Sequence, residues 1–265
     1  MTNYTNNEYL KNFIVNTINK MVGNADSITK YRRPLVSFSN IRKQDLGYLK
    51  RNVNPVHKLP TALIIDAVTI VSFFIPFSEE IVNANRLCSA IAEEWAIAYA
   101  ETNALIDQIS RNLVMKLHEM GVKAAWEPPT HNFDKTTLTS KWSHKSMAKI
   151  TCLGSFGLHQ MIITDAGCAG RLGSLVINAA IISPPKKDTE RCFYHIDGTC
   201  RMCIDSCPVG ALTIDGFNKK KCWQYILEID RSFSYLYDKY KLKEPFDVCG
   251  KCATGPCAIM LLQQK

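Results

Sequence analysis

Several things are missing from this sequence, and each absence removes a class of protein. No basic segment leads into an apolar run and a small-residue cleavage site near the start, so a secretory leader is not expected. The most hydrophobic stretch, residues 62–77, contains Asp66 and falls short of the ~20 apolar residues that a membrane-spanning helix needs. There is no solenoid-type repeat and no low-complexity tract. The phosphate-loop spacing G-x4-G-K-S/T is lacking, and Gly154-x2-Gly157 is no dinucleotide fingerprint. His118-Glu119 lacks the second histidine of the zinc-peptidase motif H-E-x2-H. Cysteine is scarce over most of the chain, with Cys88, Cys152 and Cys168 alone in the first 190 residues.

What is present points to a globular protein. Of 265 residues, 46% are hydrophobic and 21% charged, which suits a sizeable core and argues against disorder. The formal charge of +8 suits nucleic acid, an acidic protein or an anionic cofactor, and does not choose between them. The cysteines are more informative. Eight of the 11 lie between Cys192 and Cys257. A cytoplasmic, reducing setting is expected, which disfavours disulfides and leaves metal binding as the reading of that cluster.

Periodicity gives the organisation. Leu10, Phe13, Ile14, Ile18 and Met21 predict an amphipathic N-terminal helix. Residues 26–60, basic and broken by Pro34 and Pro55, predict irregular structure or short surface helices. The Val/Ile-rich stretch over 62–77 predicts a buried strand. An apolar stripe from Ile91 through Trp95, Leu105, Ile109 and Leu117 fits one long helix or two in series, closed at Gly121. Val122 to Trp126 and Ser174 to Ile182 predict strands, and Ser143 to Thr151 a helix with Ser143 as N-cap. The fold class expected is α+β. The run Ser183-Pro184-Pro185-Lys186-Lys187-Asp188 reads as a stiff connector. It divides a mixed α/β domain, residues 1–183, from a cysteine-rich domain, residues 184–265.

Cys200-x2-Cys203-x3-Cys207-Pro208 is the later part of the bacterial ferredoxin run, in which short steps aim thiolates at the corners of an iron–sulfur cube. The cysteine before the proline belongs to the other cluster, so a second set must follow, and Cys222, Cys249-x2-Cys252 and Cys257 supply it. Asp197 stands where the full run has its first cysteine. Cys192, five residues earlier, reaches the same corner if residues 193–198 loop outward, and a soft thiolate suits iron–sulfur chemistry better than a carboxylate. Two 4Fe–4S clusters are therefore expected, one on Cys192, Cys200, Cys203 and Cys257, the other on Cys207, Cys222, Cys249 and Cys252. A single zinc site on the two C-x2-C pairs would leave four cysteines and the Cys-Pro unexplained. Each oxidised cubane carries a formal −2, so about half of the +8 would balance the protein's own clusters.

The cysteine segment, together with Ser143-His-Lys-Ser-Met-Ala-Lys-Ile-Thr-Cys-Leu-Gly-Ser-Phe-Gly157, resembles the epoxyqueuosine reductase family, which is related to the reductive dehalogenases. The resemblance is specific over the cysteines, looser over residues 60–182, and has nothing to rest on before residue 55. It implies a corrinoid-binding α/β domain joined to a two-cluster ferredoxin-like domain, with cobalamin beside the first cluster. Asp134 lies near the place of the family's catalytic aspartate, and no residue is assigned a catalytic role.

In the N-terminal part the best local candidate runs from Thr164 to Ser174. Gly170 and Gly173 would let backbone approach a cofactor closely, with Arg171 holding an anionic group; Gly154 and Gly157 form a second such turn. The plain alternative is a glycine-rich lead into a buried strand. His144 and His159 are candidate proton donors or metal ligands, with hydrogen-bonded core histidine as the default. The function expected is an iron–sulfur oxidoreductase passing single electrons to a cofactor or substrate site in the N-terminal domain. A carrier that reduces a separate corrinoid protein and a tRNA epoxyqueuosine reductase are the alternatives. A ferredoxin or flavodoxin would be the low-potential donor, docking on Lys219-Lys220-Lys221, with a corrinoid protein or small molecule as acceptor. Nucleic acid is not the expected partner, because no base-stacking platform is evident.

Overall fold

A computed structural model describes residues 2–130, 132–182 and 188–260. The chain begins with helix α1 (Thr2–Gly23), whose Leu10, Ile14, Ile18 and Val22 are buried at four-residue steps. Strand β1 (Leu35–Asn40) follows, then short helices α2 (Gly47–Asn52) and α3 (Pro60–Leu63), strand β2 (Thr69–Pro76), and helices α4 (Glu79–Leu87) and α5 (Glu93–Glu119). Strand β3 (Ala124–Trp126) and a small hairpin of β4 (Phe133–Asp134) and β5 (Thr139–Ser140) lead to helix α6 (His144–Ile150). A second hairpin, β6 (Gly154–Phe156) and β7 (Ile162–Thr164), precedes the long strand β8 (Gly170–Ile177). The cysteine-rich part holds α7 (Phe193–Asp197), α8 (Met202–Asp205), the strand pair β9 (Leu212–Thr213) and β10 (Gly216–Phe217), α9 (Lys219–Ser232) and α10 (Tyr235–Tyr240). The mixture of helices and strands is the α+β class expected.

The central sheet has the order β1-β2-β8-β3, antiparallel throughout. All eight residues of β2 are buried, so both its faces are covered. Alternation divides them. Val71, Phe73 and Ile75 pack with α1 and α5 on one side, while Ile70 joins Trp142, Met147 and Ile150 of the α6 region on the other. The apolar stripe after residue 86 resolves into the end of α4 and the whole of α5, broken at Cys88, and α5 stops before Gly121 at φ +76.

Two expectations are corrected. Residues 26–60 contain β1, an edge strand of the main sheet, in which only Ser37 and Phe38 are buried. Half-exposed and rich in serine, it carries too little apolar alternation to stand out from a loop. The strand expected from Ser174 also starts earlier: β8 begins at Gly170, four residues ahead, so the second half of the glycine-rich stretch belongs to the strand. The expected connector at residues 183–187 lies outside the described residues.

The cysteine-rich part shares its core with the rest of the chain. Phe233, Leu236, Phe246 and Ala258 pack in one apolar cluster with Trp95, Ala96, Ile163 and Cys168. Backbone bonds from Cys168 N–H to Cys257 O (2.9 Å) and from Ala169 N–H to Ala258 O (3.1 Å) tie the last cysteine to the segment leading into β8.

Candidate functional site

A cavity of about 870 Å³ opens on the α6 side of the sheet. Three parts of the chain wall it. The β4–β5 hairpin contributes Phe133, Leu138 and Thr139; α6 and its approach contribute Trp142, His144 and Lys145; β8 contributes Gly170 and Arg171. The cysteine-rich part closes it with Phe217, Lys219, Cys222, Trp223 and Asp247. Phe133 meets Trp223 edge to face at 5.3 Å between ring centroids, joining hairpin to α9.

α6 begins as its sequence predicts. Ser143 is the N-cap, its Oγ accepting from Ser146 N–H at 3.1 Å. That cap fixes the first turn, where His144 and Lys145 face the cavity. Replacing Ser143 by alanine is expected to cost about 1 kcal/mol, seen as a lower denaturation midpoint in urea at unchanged slope.

His144 is buried and committed. Nδ1 pairs with Ser174 Oγ at 2.8 Å and Nε2 with Pro128 O at 3.0 Å, and burial lowers its pKa to about 4. It is a neutral core histidine, with no nitrogen left for a metal. Lys145 donates to Gln160 O at 3.0 Å; burial, then the charges of Lys219 and Arg171, lower its pKa to about 8. Arg171 lies over the Tyr99 ring, 4.3 Å from its centroid, and donates through Nε to Asn103 Oδ1 at 2.8 Å. Tyr99 donates to Asp247 Oδ1 at 3.0 Å, and burial pushes its pKa well up.

The glycines expected to cradle a cofactor are placed differently from one another. Gly170 borders the cavity, but a Cβ there would lie 2.3 Å from the Ile75 carbonyl oxygen, so the missing side chain makes room for β2. At Gly173 the same space is filled by the Phe73 ring, at Gly154 by the Ile163 carbonyl and at Gly157 by His159. None of these three lines the cavity.

The cysteines of the cysteine-rich part gather beside the cavity, where Cys222 lines it. Cys192, Cys200, Cys203, Cys252 and Cys257 line one small pocket with His159. Burial, then the thiols of Cys257, Cys192 and Cys200, push Cys203 up to about 11. Cys249 is likewise raised to about 11 by burial, with Cys222 and Cys207 adding to it. Cys252, fully enclosed, is raised further by burial and by Cys249, Cys222, Cys203 and Cys207. Thiols crowded in this way cannot all ionise, and a bound cation removes that penalty. Asp197 is turned elsewhere: exposed, its Oδ1 accepts from Thr199 N–H at 2.9 Å and from Thr199 Oγ1 at 2.6 Å.

The loop carrying Cys249 and Cys252 is bolted to α4. Asn85 Nδ2 donates to Cys249 O at 3.0 Å, Arg86 Nε to Thr254 O at 2.6 Å, and the buried Lys251 ammonium to the carbonyls of Asn85 and Cys88. Cys168 is buried with its sulfur 3.8 Å from that of Cys257, whose other neighbour is His159 Nε2 at 3.4 Å. His159 therefore faces a cysteine rather than the cavity.

Reasoning from sequence missed the contributions of Asp247, Phe133, Trp223 and Lys145 to the cavity. A lysine between His144 and Ser146 at the start of a short apolar helix was the available signal for Lys145. Asp134, near the family's aspartate in sequence, sits exposed in its hairpin and accepts from Thr136 N–H (2.8 Å) and Thr137 N–H (2.7 Å). It caps its own turn and does not line the cavity.

No known protein-family profile matches the sequence, and no curated protein does. Solved structures do match. A selenomethionine-labelled epoxyqueuosine reductase is similar over 95% of this chain, with a TM-score of 0.55 and 17% identity. The epoxyqueuosine reductase of Streptococcus thermophilus is similar over 92%, with a TM-score of 0.54 and 16% identity. An epoxyqueuosine reductase bound to an epoxyqueuosine-modified tRNA-Tyr stem loop is similar over 84%, with a TM-score of 0.53 and 16% identity. This chain spans 64%, 65% and 58% of those three chains, respectively. It shares the epoxyqueuosine reductase fold, in keeping with the resemblance drawn from its cysteines.

Proposed function

We propose that this chain is an iron–sulfur oxidoreductase that feeds single electrons through two 4Fe–4S clusters into the cavity beside α6. The observation that carries this reading is Cys222. It belongs with Cys207, Cys249 and Cys252 by mutual electrostatic influence, and it also lines the cavity. A cluster on those four thiolates would stand at the cavity wall. The other cluster, on Cys192, Cys200, Cys203 and Cys257, would lie behind it. This order differs from the one the resemblance implies, in which the first cluster faces the cofactor. The engagement of Asp197 with Thr199 supports Cys192 as the ligand at its corner.

In this reading residues 184–265 are the ferredoxin-like domain and residues 1–183 carry most of the cavity. The exposed Lys219-Lys220-Lys221 at the start of α9 would receive an acidic ferredoxin or flavodoxin in the cytoplasm.

The cavity lining fits a corrinoid. Phe133, Phe156 and Trp223 offer flat apolar faces, and Asn132, Ser140 and Gln160 offer hydrogen bonds to amide side groups. A bound corrinoid would supply a cobalt centre able to accept single electrons. His144, with both ring nitrogens engaged, gives it no ligand. The protein's own part is to exclude water with the aromatic walls and to keep a proton at Tyr99, next to Asp247.

Protein purified without oxygen should be brown, hold about eight irons per chain, and change the absorbance of added cobalamin once reduced with dithionite. Zinc without iron would overturn the proposal. Eight irons with no change in cobalamin would leave the electron-carrier reading. The fold shared with a tRNA-bound epoxyqueuosine reductase supports a second reading, reduction of a modified tRNA base. That reading requires tRNA binding that weakens steeply with salt.

A further inference from the structure

Three groups from the N-terminal part converge on the sulfurs of Cys192 and Cys257. The turn between β6 and β7 supplies two of them: Leu158 N–H donates to Cys192 Sγ at 3.5 Å, and His159 Nε2 lies 3.4 Å from Cys257 Sγ. The third is Cys168, on the segment before β8, with its sulfur 3.8 Å from that of Cys257. The other nitrogen of His159 settles the direction of its contact. Nδ1 accepts from Met161 N–H at 3.1 Å, so the ring proton sits on Nε2 and is aimed at the Cys257 sulfur. An Nε2 that carries a proton has no lone pair to give a metal. Gly157 leaves room for this arrangement, because a Cβ there would stand 2.7 Å from His159 Cε1. Cys168 is 1% exposed, and a thiol so enclosed keeps its proton. Its other neighbour is Ala253 O at 3.9 Å. A cluster-bound Cys257 has no hydrogen of its own, so in that pair Cys168 is the donor.

A cubane on four thiolates passes from a formal −2 to −3 when it takes one electron; no bond forms or breaks and no proton is required. Donors aimed at its sulfurs favour the more negative state, and the more so where water is excluded. His159 and Cys168 are both buried. The donor to Cys207, Ala211 N–H at 3.1 Å, comes by contrast from its own segment. Resting on the proposed two-cluster reading, we infer that His159 and Cys168 are positioning residues for the cluster on Cys192, Cys200, Cys203 and Cys257. They hold the Cys257 thiolate and raise that cluster's reduction potential, so the N-terminal part sets how readily this cluster fills. The turn that Gly157 permits thereby gains a role in electron transfer without touching the cavity.

The test is a redox titration of the full chain, iron-loaded without oxygen, followed by electron paramagnetic resonance as dithionite is added. His159→Asn keeps an acceptor for Met161 N–H and removes the donor at the Nε2 position; His159→Gln keeps a donor there and gives up the acceptor. His159→Asn should make reduction of one cluster about three- to tenfold less favourable, a fall of about 30 to 60 mV, while the other cluster stays in place. His159→Gln should recover most of that fall. Cys168→Ala should give a shift of the same size, and Cys168→Ser should recover it through its hydroxyl. Repeating the His159 pair in Cys207→Ser protein, which keeps the cluster in question alone, should show the same shift. If Cys168→Ala fails to hold iron, the His159 pair decides. Unmoved potentials in both His159→Asn and Cys168→Ala, a fall in His159→Gln as large as in His159→Asn, or a common shift of both clusters would overturn the inference. Iron measured on the same samples reports separately on the parent proposal. About eight irons with unmoved potentials sinks this inference alone. Unaltered protein that takes up no iron sinks the two-cluster reading itself.

Discussion

Replacing Cys203 by serine is expected to halve the iron of anaerobically prepared protein, from about eight atoms per chain to about four. Replacing Cys207 by serine should do the same, yet the two losses should concern different clusters. Cys203 and Cys207 are separated by one turn of chain, yet the ferredoxin run assigns the cysteine before the proline to the other cluster. Their surroundings separate them. Cys203 is influenced by Cys257, Cys192 and Cys200 and reaches Cys252 alone of the other set, whereas Cys207 acts on Cys222, Cys249 and Cys252. Double variants make the distinction sharp. Cys203→Ser with Cys257→Ser removes two ligands of one cluster and should still leave about four irons. Cys203→Ser with Cys207→Ser removes one ligand from each and should leave almost none. Iron analysis and the electron paramagnetic resonance of the reduced protein check both. Four irons surviving in the Cys203/Cys207 double variant would put the two cysteines on one cluster and dissolve the crossed arrangement.

The expectation of such crossing rests on ligand spacing, which is local chemistry. The proline after Cys207 and the tight steps before it are constraints on a few bonds, which the sequence states directly. The helices were legible for a similar reason: the buried positions of α1 and α5 repeat every three or four residues on one face. The cavity was not legible, because it exists only where distant elements meet. Lys145, Arg171 and Lys219 are scattered over 75 positions, and Asp247 reaches Tyr99 from 148 residues away. No periodicity marks such a convergence. Glycine misled in a different way. Gly170 and Gly173 allowed two readings, room for a ligand or a lead into a buried strand, since glycine in a sequence says that something approaches closely without saying what. In the fold the Ile75 carbonyl and the Phe73 ring approach, and the glycines serve the pairing of β2 with β8.

The glycine with most consequence lies elsewhere, at Gly250. It precedes the turn Lys251–Ala253 that presents Cys252, and it adopts φ +70, a conformation disfavoured for any residue with a side chain. A Cβ there would also lie 2.1 Å from the indole of Trp95. Trp95 cannot easily retreat, being buried on α5 and set edge-on to Phe77 at 5.2 Å. The change Gly250→Ala therefore combines about 1 kcal/mol of backbone strain with an overpacking cost of about 2 kcal/mol. Gly198 offers the comparison, because it has φ +77 with open space around its Cα, so Gly198→Ala carries the strain alone. Urea unfolding of the two iron-loaded variants should show Gly250→Ala destabilised by about 2 kcal/mol more than Gly198→Ala. The extra cost falls on the loop that joins Cys249 to Cys252, so Gly250→Ala should also shed the iron of the cluster at the cavity wall first. Equal destabilisation of the two variants would mean that Trp95 yields, and that the contact between α5 and the cysteine loop is softer than its geometry implies. If instead the gap appears together with loss of that one cluster, the packing of α5 is what holds the cluster's thiolates against the cavity.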